Sequence, residues 1–118
     1  MQIDGYGTGS FDWTTSDATN SFVDAEGLHI VPTLTNETTP ITNDQIFNGY
    51  TLNLTADGTC TSTTAANCVI HSDNGKGYAI NPVRSARLNT MGKKTIKYGK
   101  VEIVAKMPQG DWLWPALW

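Results

Sequence analysis

A chain of 118 residues with 39% hydrophobic content is sized for one domain with a modest core. Its net charge of −3 and pI near 5.1 exclude a nucleic-acid-binding surface, which needs a basic, aromatic-laced face. No stretch approaches the length of a membrane-spanning apolar helix, so no membrane partner is expected. The charge is unevenly spread. All eight Lys and Arg residues fall between Lys76 and Lys106, and the acids lie mostly in the first half. Met1-Gln-Ile-Asp lacks the basic start and apolar run of a leader. If the protein is secreted, its leader is expected to be removed or to lie upstream.

Strand signals dominate in chain order. Asp24-Ala-Glu-Gly27 reads as a turn, followed by the β-branched run Leu28–Leu34. Gln45-Ile-Phe-Asn48 is compatible with a single helical turn. Asn48-Gly49 is a turn pair, and Tyr50–Thr55 alternates apolar and polar residues before Asp57-Gly58. Thr59–Pro82 reads as a long surface loop, functional or inserted, because compact domains rarely carry such loops. Val83–Thr90, Tyr98–Lys106 and Trp112–Trp118 are three further alternating runs. No window shows a capped 3.6-residue period. Short strands joined by Gly, Asn and Asp turns predict an all-β sandwich or barrel. Lys93, Lys94, Lys97 and Lys100 suit a solvated outer strand face that discourages edge pairing.

Cys60 and Cys68 lie in a polar loop, where a local disulfide is the favoured reading. A metal site is disfavoured, since C-x7-C is not a common zinc spacing and His29 and His71 are distant in sequence. No cofactor is expected. Asn36-Glu-Thr and Asn53-Leu-Thr are N-glycosylation sequons, so Asn36 and Asn53 are candidate glycan acceptors. With the disulfide they point to an extracellular or cell-wall setting.

In a strand, Trp112, Trp114, Ala116 and Trp118 would share one face. Indole faces stack on the apolar faces of pyranose rings, and the indole N–H can meet a hydroxyl. Core filling is the competing reading for each tryptophan taken singly.

Ser85-Ala-Arg-Leu-Asn-Thr90, Tyr98-Gly-Lys-Val-Glu-Ile-Val-Ala-Lys-Met-Pro108 and Gly110-Asp-Trp-Leu-Trp-Pro-Ala-Leu-Trp118 together resemble glycoside hydrolase family 16. The similarity is strongest to its laminarinase-type endo-β-1,3(4)-glucanase branch and to the related β-glucan-binding proteins. Asn20–Ile30 fits an early strand and turn of that family. The resemblance implies a concanavalin-like jelly-roll β-sandwich with a β-glucan cleft on its concave face. It implies that Arg87 and Trp118 bind sugar there, with Asn20 as a weaker polar cleft residue. For Arg87, a surface guanidinium paired with a carboxylate is the competing reading.

Retaining glycosidases need two carboxyl groups roughly 5 Å apart. In this family they are expected on one strand as Glu-x-Asp-x-(x)-Glu, and no Glu-x-Asp occurs in this sequence. Residues 1–118 are therefore expected to be the N-terminal part of a single family 16 domain, with the later strands missing. No catalytic residue is assigned, and no residue can be assigned to calcium. The chain alone is expected to be inactive, with β-glucan and the missing C-terminal half of the domain as its partners. A non-catalytic β-glucan-binding protein and a gene-model fragment without function are the alternatives.

Overall fold

The structure, a computed structural model, describes residues 9–118. The Met1–Asp4 segment considered above as a leader lies outside the described residues. The described chain is mostly strand and irregular segment with few, short helices. It separates into two units, one up to Leu88 and one over Asn89–Trp118.

In the first unit the strands are β1 (Asp12–Thr14), β2 (Ser21–Asp24), β3 (Gly27–Ile30), β4 (Thr33–Leu34), β5 (Asn48–Asn53), β6 (Val69–Asp73) and β7 (Val83–Ser85). The helices are α1 (Thr35–Thr38) and α2 (Asn43–Phe47). The strands form three small sheets, ordered β1-β7-β4, β2-β3 and β5-β6. In the first sheet β7 is central. It runs parallel to β1 with Trp13 opposite Arg84, and antiparallel to β4 with Thr33 opposite Arg84.

Local chemistry sets these elements. The β2–β3 hairpin turns through Ala25 and Glu26, with Asp24 opposite Gly27. Asp24 Oδ1 accepts the Glu26 N–H at 2.8 Å, and Gly27 takes φ 127°, a conformation open to glycine and costly elsewhere. Across this hairpin Phe22 and His29 stack with ring centroids 4.7 Å apart. The expected single strand Leu28–Leu34 is split at Val31-Pro32, where proline removes a ladder donor. The helical turn expected at Gln45–Asn48 is α2, which starts two residues earlier on a reciprocal cap. Thr42 Oγ1 accepts the Gln45 N–H, and Gln45 Oε1 accepts the Thr42 N–H.

Thr59–Pro82 is not a loop throughout. Val69–Asp73 inside it pairs with β5, with Leu52 opposite Ile70. A disulfide joins Cys60 to Cys68 just before that strand. The pairing shifts register between Asn48 and Thr51, and Ser72 repairs the gap. Its hydroxyl accepts the Tyr50 N–H at 2.9 Å and donates to the Gln45 carbonyl at 2.8 Å.

The core of this unit is Trp13, Ile41, Ile46, Leu52, Leu54 and Ile80, with Tyr50, Cys60, Ile70 and Ala79 packed against it. Leu52 and Leu54 share one face of the β5 run, which is why its polar neighbours point outward.

The second unit departs from the strand expectation. Neither Tyr98–Lys106 nor Trp112–Trp118 forms a ladder, and every residue from Asn89 onward is exposed. A strand exists only where a neighbour accepts and donates its backbone hydrogen bonds, and none does so among the described residues. The unit holds a turn in which the Lys93 and Lys94 N–H groups donate to the Thr90 carbonyl. The run Val83–Thr90 likewise pairs only through Ser85.

Candidate functional site

The residues singled out from sequence fall into very different surroundings. Trp112, Trp114 and Trp118 are 99%, 85% and 100% exposed. Trp112 does not begin a strand. Its φ is +66°, a left-handed backbone conformation that bulky residues rarely adopt, and it completes a turn after Gly110. The strict alternation expected from Trp112 onward therefore does not hold at its first member.

Arg87 lies beyond the paired part of its run and is exposed. Arg84 is the arginine that the sheet turns inward. It is 5% exposed and lies over the Trp13 ring, with its guanidinium carbon 5.2 Å from the ring centroid. Its Nη2 donates to Asp17 Oδ2 at 2.9 Å and its Nη1 to the Thr38 carbonyl at 3.2 Å. The Thr19 backbone N–H, the Arg84 guanidinium and the Thr19 hydroxyl together hold the Asp17 carboxyl down at about 2, against an ordinary 3.8. Sequence reading missed Arg84. Its signal was parity: Val83, Ser85 and Arg87 share one side of an extended run, and Arg84 takes the other. The acid-rich early chain also needed a cation, and residues up to Leu88 offer only Lys76, Arg84 and Arg87.

Asn20 is 0% exposed, and its amide is used inside the fold. Its Oδ1 accepts from the Thr15 hydroxyl at 2.9 Å. Its Nδ2 donates to the Val31 carbonyl and the Thr33 hydroxyl, both at 2.9 Å, and to the Arg84 carbonyl at 3.4 Å. It thus ties the β2–β3 hairpin to β4 and β7. Trp13 sits in a comparable network, its indole N–H donating to Thr35 Oγ1, which donates to the Asn81 carbonyl. Asn81 Oδ1 and Arg84 Nε are buried without a hydrogen-bond partner among the described residues. The described arginine and asparagine cluster is structural in what its atoms contact.

A concavity of about 290 Å³ lies beside the Cys60–Cys68 bridge, walled by Thr55, Ser62, Thr63 and the disulfide. No charged side chain and none of the sugar-site candidates lines it. Of the sequon residues, Asn36 is half-buried in α1. Asn53 ends β5 with its Oδ1 accepting the Thr55 and Ala56 N–H groups. Among the described residues no three His, Cys, Asp or Glu side chains are grouped to hold a metal ion, and no helix is long and apolar enough to cross a membrane.

Three curated relatives place these residues in context. The chain is similar to a beta-1,3-glucan-binding protein of Penaeus monodon, 64% identical over 39 residues, covering 33% of this chain and 11% of that protein. It is similar to Gram-negative bacteria-binding protein 2 of Drosophila melanogaster, 36% identical over 101 residues, covering 85% of this chain and 20% of that protein. It is also similar to glucan endo-1,3-beta-glucosidase A1 of Niallia circulans, 53% identical over 34 residues, 29% of this chain and 5% of that protein. The chain thus spans a fifth or less of the length of these three relatives. No protein-family model and no solved structure matches it.

Proposed function

We propose that this chain is part of an extracellular β-1,3-glucan-binding domain of the glycoside hydrolase family 16 type. In this reading residues 1–118 are the N-terminal portion of one jelly-roll domain, and Trp114, Trp118 and Arg87 contribute sugar contacts. The observation that carries the proposal is the set of unpacked indoles, 85–100% exposed, in a chain whose relatives are named for β-1,3-glucan binding. Exposing three tryptophans is costly in water, and a pyranose face is a partner that covers them while leaving the indole N–H for a hydroxyl. Arg87 is exposed, and a planar guanidinium fork is suited to paired sugar hydroxyls. The disulfide and the two sequons support an extracellular setting.

Retention of the chain on insoluble β-1,3-glucan tests this. Wild type should be retained more strongly than on cellulose. W114A/W118A should lose binding roughly tenfold, given about 0.5–1.5 kcal/mol per aromatic contact. Equal retention of the double variant, or none by the wild type, would overturn the proposal.

The glucosidase relative favours a second reading, that the whole protein hydrolyses the glucan it binds. This chain carries no Glu-x-Asp, so it is proposed to release no reducing sugar from laminarin by itself. Release well above a blank would instead place a carboxylate pair among its own acids.

A further inference from the structure

The two sequons fold into different local structures. Asn36-Glu37-Thr38 is wound into α1. Its Thr38 hydroxyl donates to the Leu34 carbonyl at 2.8 Å, and its Thr38 carbonyl accepts from Arg84 Nη1. The preceding Thr35 is completely buried, with its N–H on the Pro82 carbonyl and its hydroxyl on the Asn81 carbonyl. A glycan on Asn36 would place a bulky group on the turn that Arg84 and these two carbonyls hold in place. Asn53-Leu54-Thr55 instead runs from the end of β5 into a turn. Leu52 and Leu54 point into the core, so Asn53 between them takes the outer side of β5. Asn53 Oδ1 accepts the Thr55 N–H at 3.0 Å and the Ala56 N–H at 2.9 Å. An asparagine turn of this kind forms from local contacts alone. Both bonds use the oxygen, so Nδ2 can be substituted without breaking either. The difference between the sequons lies in bonds that are made, not in surface left bare.

Given the extracellular setting proposed above, on which this rests, we propose that Asn53, and not Asn36, carries an N-linked glycan whose first N-acetylglucosamine covers the concavity beside the Cys60–Cys68 bridge. The sugar comes from a polyprenyl-pyrophosphate-linked oligosaccharide. Asn53 Nδ2 bonds to the anomeric carbon and gives up one proton. The bond from that carbon to the pyrophosphate oxygen breaks, and the lipid pyrophosphate leaves with the electron pair, so nothing is oxidised or reduced. Oδ1 stays an acceptor, and the turn to Thr55 and Ala56 survives. Thr55 is both the third residue of the sequon and a wall of the concavity, beside Ser62, Thr63, Ala65 and the two cysteines. These hydroxyls and apolar surfaces suit a sugar, which has C–H faces as well as hydroxyls. At about 290 Å³ the concavity is at the small end of free-ligand sites, which begin near ~300 Å³. A tethered sugar needs little affinity of its own, because attachment at Asn53 keeps its local concentration high. The disulfide forms one wall, so a sugar seated there shields the sulfurs.

Secretion of the full chain from eukaryotic cells tests this, with a cleavable leader in front and a control sequon on a flexible C-terminal tail. The leader supplies entry, so the outcome does not depend on where the protein resides naturally, and retention on glucan reads the functional proposal separately. Intact mass and peptide-N-glycosidase sensitivity should show one glycan besides the control. N53Q and T55A should lose it, T55S should keep it, and N36Q should leave it unchanged. T55A retains the backbone N–H that Asn53 accepts, so its loss of glycan reports the sequon and not the turn. The shielding is read on the chain without the tail. Glycoprotein trimmed to its first N-acetylglucosamine should have its bridge reduced by dithiothreitol roughly threefold more slowly than the same sequence made with N-glycosylation blocked, because exchange rates follow access to the sulfurs. A glycan at Asn36, none at Asn53 beside an occupied control, or equal reduction rates would each overturn the proposal.

Discussion

Trp13 and Trp118 are the same side chain in opposite circumstances. Trp13 is 6% exposed, with its N–H on Thr35, its ring under Arg84 and its edge in the apolar core. Trp118 is wholly exposed. The contrast extends to the regions that hold them. The chain up to Leu88 closes three small sheets over Ile46, Leu54 and Ile80, whereas Asn89–Trp118 buries nothing despite equally regular alternation. Alternation states which side of a strand is apolar. It becomes structure only where a neighbouring strand satisfies the backbone and an opposing surface covers the side chains. The first region has both, and the second has neither among the described residues.

The sharpest way to break this contrast is to delete one apolar side chain from each region. Ile80 is fully buried, so I80A should lower unfolding stability by about 2–5 kcal/mol through lost transfer energy and a residual cavity. V104A, a comparable truncation at a fully exposed position, should change it by less than about 0.5 kcal/mol. Denaturant titration read by circular dichroism measures both, and equal effects would dissolve the distinction between the regions. The next effect in size comes from the Cys60–Cys68 bridge. It ties the segment beyond the turn after β5 to the residue just before β6, across a separation of 8 residues. Closing so short a loop restricts the unfolded chain by about 2.5 kcal/mol, so C60S/C68S should lose roughly that much. A double variant as stable as wild type would show that the β5–β6 pairing holds the loop unaided.

These contrasts also show what was legible in the sequence. The β2–β3 hairpin was, because Asp24-Ala-Glu-Gly27 encodes its turn locally. So was the helical turn at Gln45, although its Thr42 cap was overlooked. Strand β6 was not, since Val69-Ile-His-Ser-Asp73 is short and sits between polar turns, and only β5 beside it makes it a strand. The all-β class follows from turn spacing and agrees with the strands observed. Parity put Arg84 and Arg87 on opposite sides of their run, but which side is buried became clear only from the pairing of β7, which stops at Ser85. Asn20 was read as a weaker polar cleft residue from the family resemblance alone. Its burial depends on partners at Val31, Thr33 and Arg84, which no local pattern reveals. For the tryptophans, sequence offered a shared face, and the structure gives exposure with Trp112 in a turn.

The smallest effect, and the most specific to the first region, is its response to acid. Asp17 titrates at about 2 in the folded protein and near 3.8 when unfolded. A folded value below the unfolded one stabilises the protein fully above pH 3.8, and that stabilisation fades as pH falls from about 4 towards 2. Asp24 is shifted the same way, first by the Glu26 N–H and then by His29, so it adds to the same loss. D17N removes the Asp17 share. It should be less stable than wild type near neutral pH, and the gap should narrow through this window. Because the Asp17 side chain is 38% exposed, high salt should shrink the contribution of its contact with Arg84. Denaturation midpoints of both proteins between pH 5 and pH 2, in low and high salt, measure the convergence. Parallel curves would mean that the Thr19 and Arg84 contacts persist in the unfolded chain, and that the acid sensitivity of the first region arises at Asp24 or elsewhere.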